Sequence, residues 1–445
     1  MKNKAMLAWN LLCDICANLI EFLRTILHST DFVNRHKKSA KDFIRKRLLS
    51  FQTLVLYFIN LPKGSYKDEL DHFFKALFRL DVPVSFVSKM ALSLARRKLK
   101  SSAFVELNHH LFDFFYNHFN NVKTWHGFNL IGVDGSTLKL FKYKDIREHF
   151  GTIKPKNGSE VPMARISQMF DVLNKITIDA IISPYHVGER DLLHQHLINL
   201  LPNDLLLLDR GYPAYWIFNL ILSQGGNFCA RISKQWNIVK GFVESGACET
   251  IIDLEASEQA TRECLEMGLD VMPLRLRLIR VELDTGQIEV LITSLTDEKK
   301  FPLEIFKDLY HQRWFVEVDY LFMKKRIQID NFSGKSALSV YQDFHSKVFA
   351  KNLIWILASP AHDVVQNAGD GRKHERQLNM TEAISKSKDT LFLLFERPLE
   401  MIVQLIQQIH AIFIASTEPI RPGRKFEHNH KINKREHYMN YKPCR

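Results

Sequence analysis

The sequence predicts an α/β fold flanked by helical regions, and three observations predict it. Up to about residue 120, apolar residues recur at helical steps of three and four. From about residue 128 the period changes to that of short strands separated by turns and helices. Beyond residue 337 the helical pattern returns and runs to about 415, broken by a polar loop near 362–378. The chain has 445 residues, 46% of them hydrophobic and 25% charged. That composition excludes a disordered chain and a small disulfide-stapled scaffold. The length allows about two to four domains at roughly 150 residues each. Lys and Arg (61) exceed Asp and Glu (49), a net charge of +12 that favours a polyanionic partner.

The N-terminal helices show in LAWNLLCDICANLIEFLRTIL and ELDHFFKALFRL. Between them lies RHKKSAKDFIRKR, residues 35–47, with a local net charge of +6, and a second basic cluster follows at Arg96, Arg97, Lys98 and Lys100. Each fits a solvated helix face; two in one helical module favour DNA contact. FNLIGVDGSTLKLF reads as a strand, a turn at Asp134-Gly135 and a second strand. SQMFDVLNKITIDAIIS (167–183) reads as a strand pair turning at Leu173-Asn174-Lys175. Residues 189–201 are helical, stopped by Pro202-Asn203-Asp204. In DLLLLDRGYP, four leucines bounded by turn residues suit a strand buried on both faces. PAYWIFNLILSQGG is a helix ending at its glycines, and NFCARIS is a short strand. LRLRLIRVELDTGQIEVLITSL alternates around Asp284-Thr285-Gly286 as a β-hairpin does. One long helix is expected from about 302 to 327.

Six cysteines are spaced unlike a disulfide framework. Cys13 and Cys16 form a lone CxxC without a second ligand pair, so they read as small apolar residues on a helix face. Asp14 and Glu21 interrupt the apolar stretch Met6–Leu27, which argues against a secretory signal. No run approaches the roughly 18 apolar residues of a membrane span. A reducing cytoplasm is the expected compartment. The segment 420–445 carries a net charge of +6; its His428, His430 and His437 lack acidic or cysteine company and read as solvated.

Three acids stand out as candidates for chemistry. Asp134 and Asp209 each follow an apolar strand pattern, and Glu317 lies on the expected long helix. Divalent cations such as Mg²⁺ take carboxylate oxygens and leave positions for water and phosphate. Phosphoryl transfer by two metals needs a few carboxylates converging from different elements. Singly, each acid has a plainer reading: a turn residue for Asp134, a helix cap for Asp209, a solvated carboxylate for Glu317. Tyr310, Arg313, Glu317 and Lys324 are spaced to fall within about 60° of one helix face. A carboxylate there can hold metal while Arg and Lys grip phosphates, the Arg bidentately. A simple Arg313–Glu317 helix ion pair is the alternative.

The spacing Tyr310-x₂-Arg313-x₃-Glu317-x₆-Lys324 resembles the YREK signature of the insertion-sequence-four-like DDE transposases. GVDGST around Asp134 and LLLLDRGY around Asp209 look like that family's first two acidic motifs. The resemblance covers roughly residues 125–350 by motif. It implies an RNase H-like core interrupted by a β-rich insertion. The division expected is a helical DNA-binding region (1–124), the first part of the core (125–233), the insertion (234–296), the second part with the YREK helix (297–360), and a helical C-terminal region with a basic tail (361–445).

By the same resemblance, Asp134, Asp209 and Glu317 are the catalytic triad and hold two Mg²⁺ ions, with Mn²⁺ as a possible substitute. Tyr310, Arg313 and Lys324 hold DNA phosphates near the scissile bond, and Arg210 is a further candidate, its alternative being a salt bridge. The implied reaction is metal-dependent cleavage at transposon ends, then strand transfer into target DNA. The implied partners are terminal inverted repeats, target DNA and a second copy in a homodimeric synaptic complex. The expected setting is a bacterial cytoplasm, on the nucleoid, with no membrane partner. Two rivals remain at this level: a nuclease that uses the same core without strand transfer, and a DNA-binding protein without catalysis. A ligand-binding α/β protein is a weaker third, because no Gly-rich phosphate loop is present.

Overall fold

Leucine- and β-branched-rich segments after Asn129 form the sheet that carries the candidate acids. The computed structural model describes residues 2–154, 158–283, 285–367, 374–421 and 442–443, with backbone alone for 2–11 and 367. His428, His430, His437 and most of the basic tail lie outside the described residues. The chain divides into two compact units: a helical one of residues 1–120, 138–164 and 322–445, and a sheet-bearing one of residues 121–137 and 165–321.

The strands are β1 (Asn129–Lys139), β2 (Thr152–Ile153), β3 (Val161–Asp171), β4 (Ile176–Pro184), β5 (Asp204–Leu208), β6 (Asn227–Ile232), β7 (Glu249–Leu254), β8 (Leu274–Glu282) and β9 (Ile288–Thr293). Strands β4, β3, β1, β5 and β6 lie in that order. β5 pairs in parallel with β1 on one side and β6 on the other. A first strand in the middle, its two successors on one side and two parallel strands on the other make an RNase H-like arrangement. β9, β8 and β7 then extend the sheet from β6, each antiparallel to its neighbour.

All five residues of β5 are buried, as its leucine run requires. The β3–β4 turn falls where the sequence places it: the Asp171 carboxylate accepts from the Leu173 and Asn174 amides, and Lys175 takes a positive φ of 58°. β1 departs from expectation. It is one continuous strand through Asp134 and Gly135 rather than two strands about a turn. The glycine serves close approach: a Cβ on Gly135 would sit 3.0 Å from Glu189 Oε1.

The expected long helix is interrupted as well. Helix Ile305–His311 ends, the chain tightens through three-residue hydrogen bonds at Gln312 and Arg313, helix Trp314–Phe322 follows, and Met323–Ile327 forms a wide π turn. Trp314 already begins the next helix, so the break is confined to Gln312 and Arg313. The helix starting at Glu189 also stops early, at His196, and passes through a 3₁₀ turn before Pro202.

In the helical unit, helix Ala337–Asn367 packs against helices Ser102–His118, Phe51–Ile59 and Leu399–Ala415. Ser29, Ser50 and Ser88 cap the helices that follow them by accepting from the Phe32, Thr53 and Ala91 amides. Most of the basic segment 35–47 follows the helix Thr30–His36 as turns and bends, not as a helix face. Arg96 leaves the second basic cluster for the interior, where its guanidinium bonds Asp343 at 3.0 Å. Cys13 and Cys16 are fully buried, as small apolar residues on a packed helix face should be. Among the described residues no helix is long and apolar enough to cross a membrane.

His410 is fully buried, with its Nε2 2.6 Å from the Leu357 carbonyl and its Nδ1 3.5 Å from Cys13 Sγ. Burial lowers its pKa to about 4, against the Leu357 hydrogen bond that raises it. The unfolded chain therefore takes up a proton near pH 6.5 that the folded chain refuses until about 4. This contribution to stability is complete above pH 6.5 and is lost as pH falls toward 4. Urea titrations across that window should show a decline of about 3 kcal/mol from this residue. His410→Gln should flatten that segment of the curve; an unchanged slope would assign the decline to other groups.

Candidate active site

The register of β1 against β5 sets the site. Their paired residues run from Asn129–Asp204 to Val133–Leu208. Asp134 and Asp209 are each the next residue beyond that register, so they stand on neighbouring strands at the same level, with strands spaced about 4.8 Å apart. Glu317 comes from the helix Trp314–Phe322. Gly132 of β1 faces this helix: a Cβ there would meet Val316 Cβ at 3.4 Å, an ordinary contact, and Val172 Cγ1 more tightly at 3.1 Å.

The backbone of Asp134 is held from two sides. Its carbonyl accepts from Tyr320 Oη at 2.8 Å and from Ser167 Oγ at 3.3 Å. Ser167 in turn meets His196 Nε2 at 3.0 Å, and His196 Nδ1 meets Asp179 at 2.8 Å. His196 is fully buried, so a continuous polar chain of Asp179, His196 and Ser167 runs through the interior to the first acid.

The carboxylates differ in environment. Burial raises the Asp134 carboxyl to about 6; the Gly135 amide and Arg313 oppose this, while Glu317 and Asp209 add to it as like charges. Burial acts on Asp209 in the same direction, but the Arg210 amide, Arg231 and Arg313 outweigh it and hold its carboxyl below the usual range. Arg231 Nη2 bonds Asp209 Oδ1 at 2.7 Å, and its Nη1 bonds Glu289 at 2.5 Å. Arg313 Nη2 bonds Glu317 Oε1 at 2.9 Å, the helix ion pair that the spacing allowed. Tyr310 Oη lies 3.4 Å from Asp209 Oδ1, and the Arg313 guanidinium stands 5.8 Å from the Tyr310 ring centre.

Five of the seven residues singled out in the sequence therefore share this neighbourhood: Asp134, Asp209, Glu317, Tyr310 and Arg313. Arg210 directly follows Asp209 and is exposed, with no described carboxylate within 4 Å, so the salt-bridge alternative finds no support. Lys324 lies in the π turn Met323–Ile327 and belongs to the helical unit. Sequence reasoning missed Arg231, Glu289, Glu189 and Tyr212. The strand carrying Arg231 was legible, but its two carboxylate partners come from β5 and β9. Glu189 reads in sequence as a first-turn helix acid; here it lies against Gly135 and Gly211, paired to Arg165 at 2.9 Å. Tyr212 follows Asp209 by three residues. Its buried hydroxyl finds no hydrogen-bond partner among the described residues, and Asp134, Glu189 and Asp209 all act on it.

Carboxylate oxygens are the donors that a hard divalent cation takes. The residues present fit such an ion in chemistry: like charges crowd Asp134, and an unsatisfied hydroxyl is buried beside them. Among the described residues no three acid, His or Cys side chains already form a cation cage, because arginines hold Asp209 and Glu317.

An RNase H-like sheet with acids just past the paired register of its central strands is the frame of enzymes that cut and join polynucleotides. Residues 125–353 match the transposase DDE domain, and the chain belongs to that family. It is similar to transposase InsG of insertion sequence element IS4 from Escherichia coli K12, at 22% identity over 331 residues, 71% of this chain and 72% of the relative. It also resembles the putative transposase InsZ of the same organism, at 25% identity over 127 residues, 27% of this chain and 42% of the relative. Among solved structures it aligns with a piggyBac transposase synaptic complex with hairpin DNA, at 10% identity and a TM-score of 0.45, covering 91% of this chain and 87% of that one.

His196→Leu should remove the two interior hydrogen bonds that the imidazole makes with Asp179 and with Ser167. Losing a hydrogen-bond partner in the interior costs about 1–3 kcal/mol. Chemical denaturation should show that loss; a loss below about 1 kcal/mol, the size of a surface pair, would mean the chain of bonds is not held in solution.

Proposed function

We propose that this protein is a DNA transposase that cleaves at the ends of its element and joins the freed ends to target DNA. The observation that carries the reading is the placement of Asp134 and Asp209 side by side beyond the β1–β5 register, within the segment matching the transposase DDE domain. Asp134, Asp209 and Glu317 would hold the divalent metal, which we take to be two Mg²⁺ ions with Mn²⁺ as a substitute. When bound, the metal supplies Lewis-acid stabilisation of the charge on attacking and leaving oxygens.

The protein's own groups have separate tasks in this scheme. Arg313, Tyr310, Arg210 and Lys324 bind the phosphates that flank the scissile bond and orient the phosphorus for in-line attack. The ion pairs of Arg313 with Glu317 and of Arg231 with Asp209 keep the acids in place until phosphate competes for the guanidinium groups. In cleavage, a water oxygen forms a bond to phosphorus while the bond to the 3′ oxygen breaks, leaving a 3′-hydroxyl. In joining, that hydroxyl loses its proton and bonds to a target phosphorus, and the target's own 3′ oxygen leaves. Each step exchanges one P–O bond for another and needs no redox partner. A homodimer that pairs two ends, working on the bacterial nucleoid, completes the reading.

The test uses labelled duplexes that carry the element's own ends, the full-length protein and Mg²⁺. Nicking and joining should depend on metal and vanish in Asp134→Ala, Asp209→Ala and Glu317→Gln while end binding persists. Cleavage without joining would favour the nuclease; binding without either, by folded wild-type protein, would favour the non-catalytic reading. Arg313→Ala should weaken engagement of the end by about 10-fold or more, the size of a charge-assisted contact. End binding and cleavage equal to wild type would remove that role.

A further inference from the structure

We infer that the helical unit holds a second phosphate site, separate from the acids, that takes the sugar–phosphate backbone of duplex DNA. This rests on the reading of the chain as a protein that acts on DNA. A cavity of about 890 Å³ is lined by Gly64–Tyr66, by the helix Lys89–Arg96 and by segment 333–339, with Lys442 completing it. Lys89, Arg96, Arg97, Lys335 and Lys442 line it, and no Asp or Glu does.

The floor is neutral and satisfied. Arg96 Nη2 bonds Asp343 at 3.0 Å, its Nε bonds Gln342 at 2.9 Å, and its Nη1 bonds Ser333 at 3.1 Å and also reaches the Tyr66 hydroxyl. The Asp343 carboxylate also accepts from the Ser333 amide and hydroxyl, so its charge is spent on the floor. A Cβ on Gly334 would overlap Ser339 Cβ and come within 2.8 Å of Arg96 Nη1, so glycine lets the backbone pack on both.

The rim is different. Lys442 Nζ donates to Asn331 Oδ1 at 2.6 Å and to the Phe332 carbonyl at 2.8 Å; burial lowers its pKa, while Asp343 and Glu69 act on it as opposite charges. Lys335 Nζ stands 5.1 Å from the Tyr143 ring centre. Lys89, Arg97 and Lys335 are exposed and have no described carboxylate within 4 Å. Lys89, Arg97 and Lys335 thus place three cations without a carboxylate partner among the described residues around one cavity with hydroxyl-rich walls. Such a field draws an anion with several charges, and Lys, Arg and Ser are the side chains that bind backbone phosphates. Leu338 is the lone aliphatic side chain in the lining, and the Tyr66 hydroxyl is engaged on the floor. The cavity therefore offers little for a nucleobase to stack on, which favours a phosphodiester backbone over a free nucleotide.

The experiment is the salt dependence of binding by the full-length chain to a duplex carrying the element's end and to an unrelated duplex. Wild type is compared with the Arg97→Ala/Lys335→Ala double variant, whose rim positions leave the floor untouched; thermal melting checks that it folds. Each phosphate contact contributes about 0.9 to the slope of log affinity on log salt, so the slope should fall by about 1.8. Affinity at 0.15 M salt should drop by about 10- to 30-fold, equally for both duplexes, because backbone contacts carry no sequence. An unchanged slope would overturn the site. So would an unchanged slope beside a thermal stabilisation by inorganic triphosphate that the double variant loses, which would assign the cavity to a free anion. If wild type cleaves its ends while the variant keeps its slope, only this inference falls; if wild type neither binds nor cleaves DNA, the functional reading falls with it.

Discussion

The parallel pairing of β1 with β5 is the constraint on which the rest of the site depends. Parallel strands cannot be joined by a tight turn, so the chain needs a long crossover between them. That crossover brings β3, β4 and the helix Glu189–His196 to the unit that holds the acids. At the first pair of the register the Asn129 side-chain amide donates to Asp204 Oδ1 at 3.0 Å, which ties the two strands at that level. Asp134 and Asp209 thereby stand level, each one residue past the last pair of the register.

Around that frame several interior polar groups are joined into chains. The Asp134 carbonyl, Ser167, His196 and Asp179 form one chain, and Arg231 joins Asp209 to Glu289 across three strands. Buried polar groups left unpaired cost free energy, so such networks fix one arrangement of the side chains. The Tyr212 hydroxyl and Arg231 Nε stand apart from these chains, buried with no hydrogen-bond partner among the described residues.

Much of this was legible in the residues. The leucine run of β5, the β3–β4 turn and the return to helical period near 337 follow from local patterning, which the structure obeys. Asp134-Gly135 was misread, because Asp-Gly usually signals a turn; here the glycine makes room for a side chain more than fifty positions later. The helix break at Gln312 and Arg313 was hidden because periodicity reports which faces are apolar and says nothing of a local change in hydrogen-bond step. Arg96 looked like part of a surface cluster, since its partner Asp343 is far away in sequence. Arg231 had no local signal at all. The pattern is general: what neighbours in sequence decide can be read, and what distant chain segments decide cannot.

The antiparallel extension β6-β9-β8-β7 also has a temporal meaning. It separates Asp209 from Glu317, so the acid on the helix leaves the ribosome last, after a whole additional piece of sheet has been made. A nascent or prematurely ended chain holds the two strand-borne acids without the third. Assembly of the three acids is thereby postponed until nearly all of the sheet-bearing unit exists, so under the proposed function the fold itself would time when cleavage can begin.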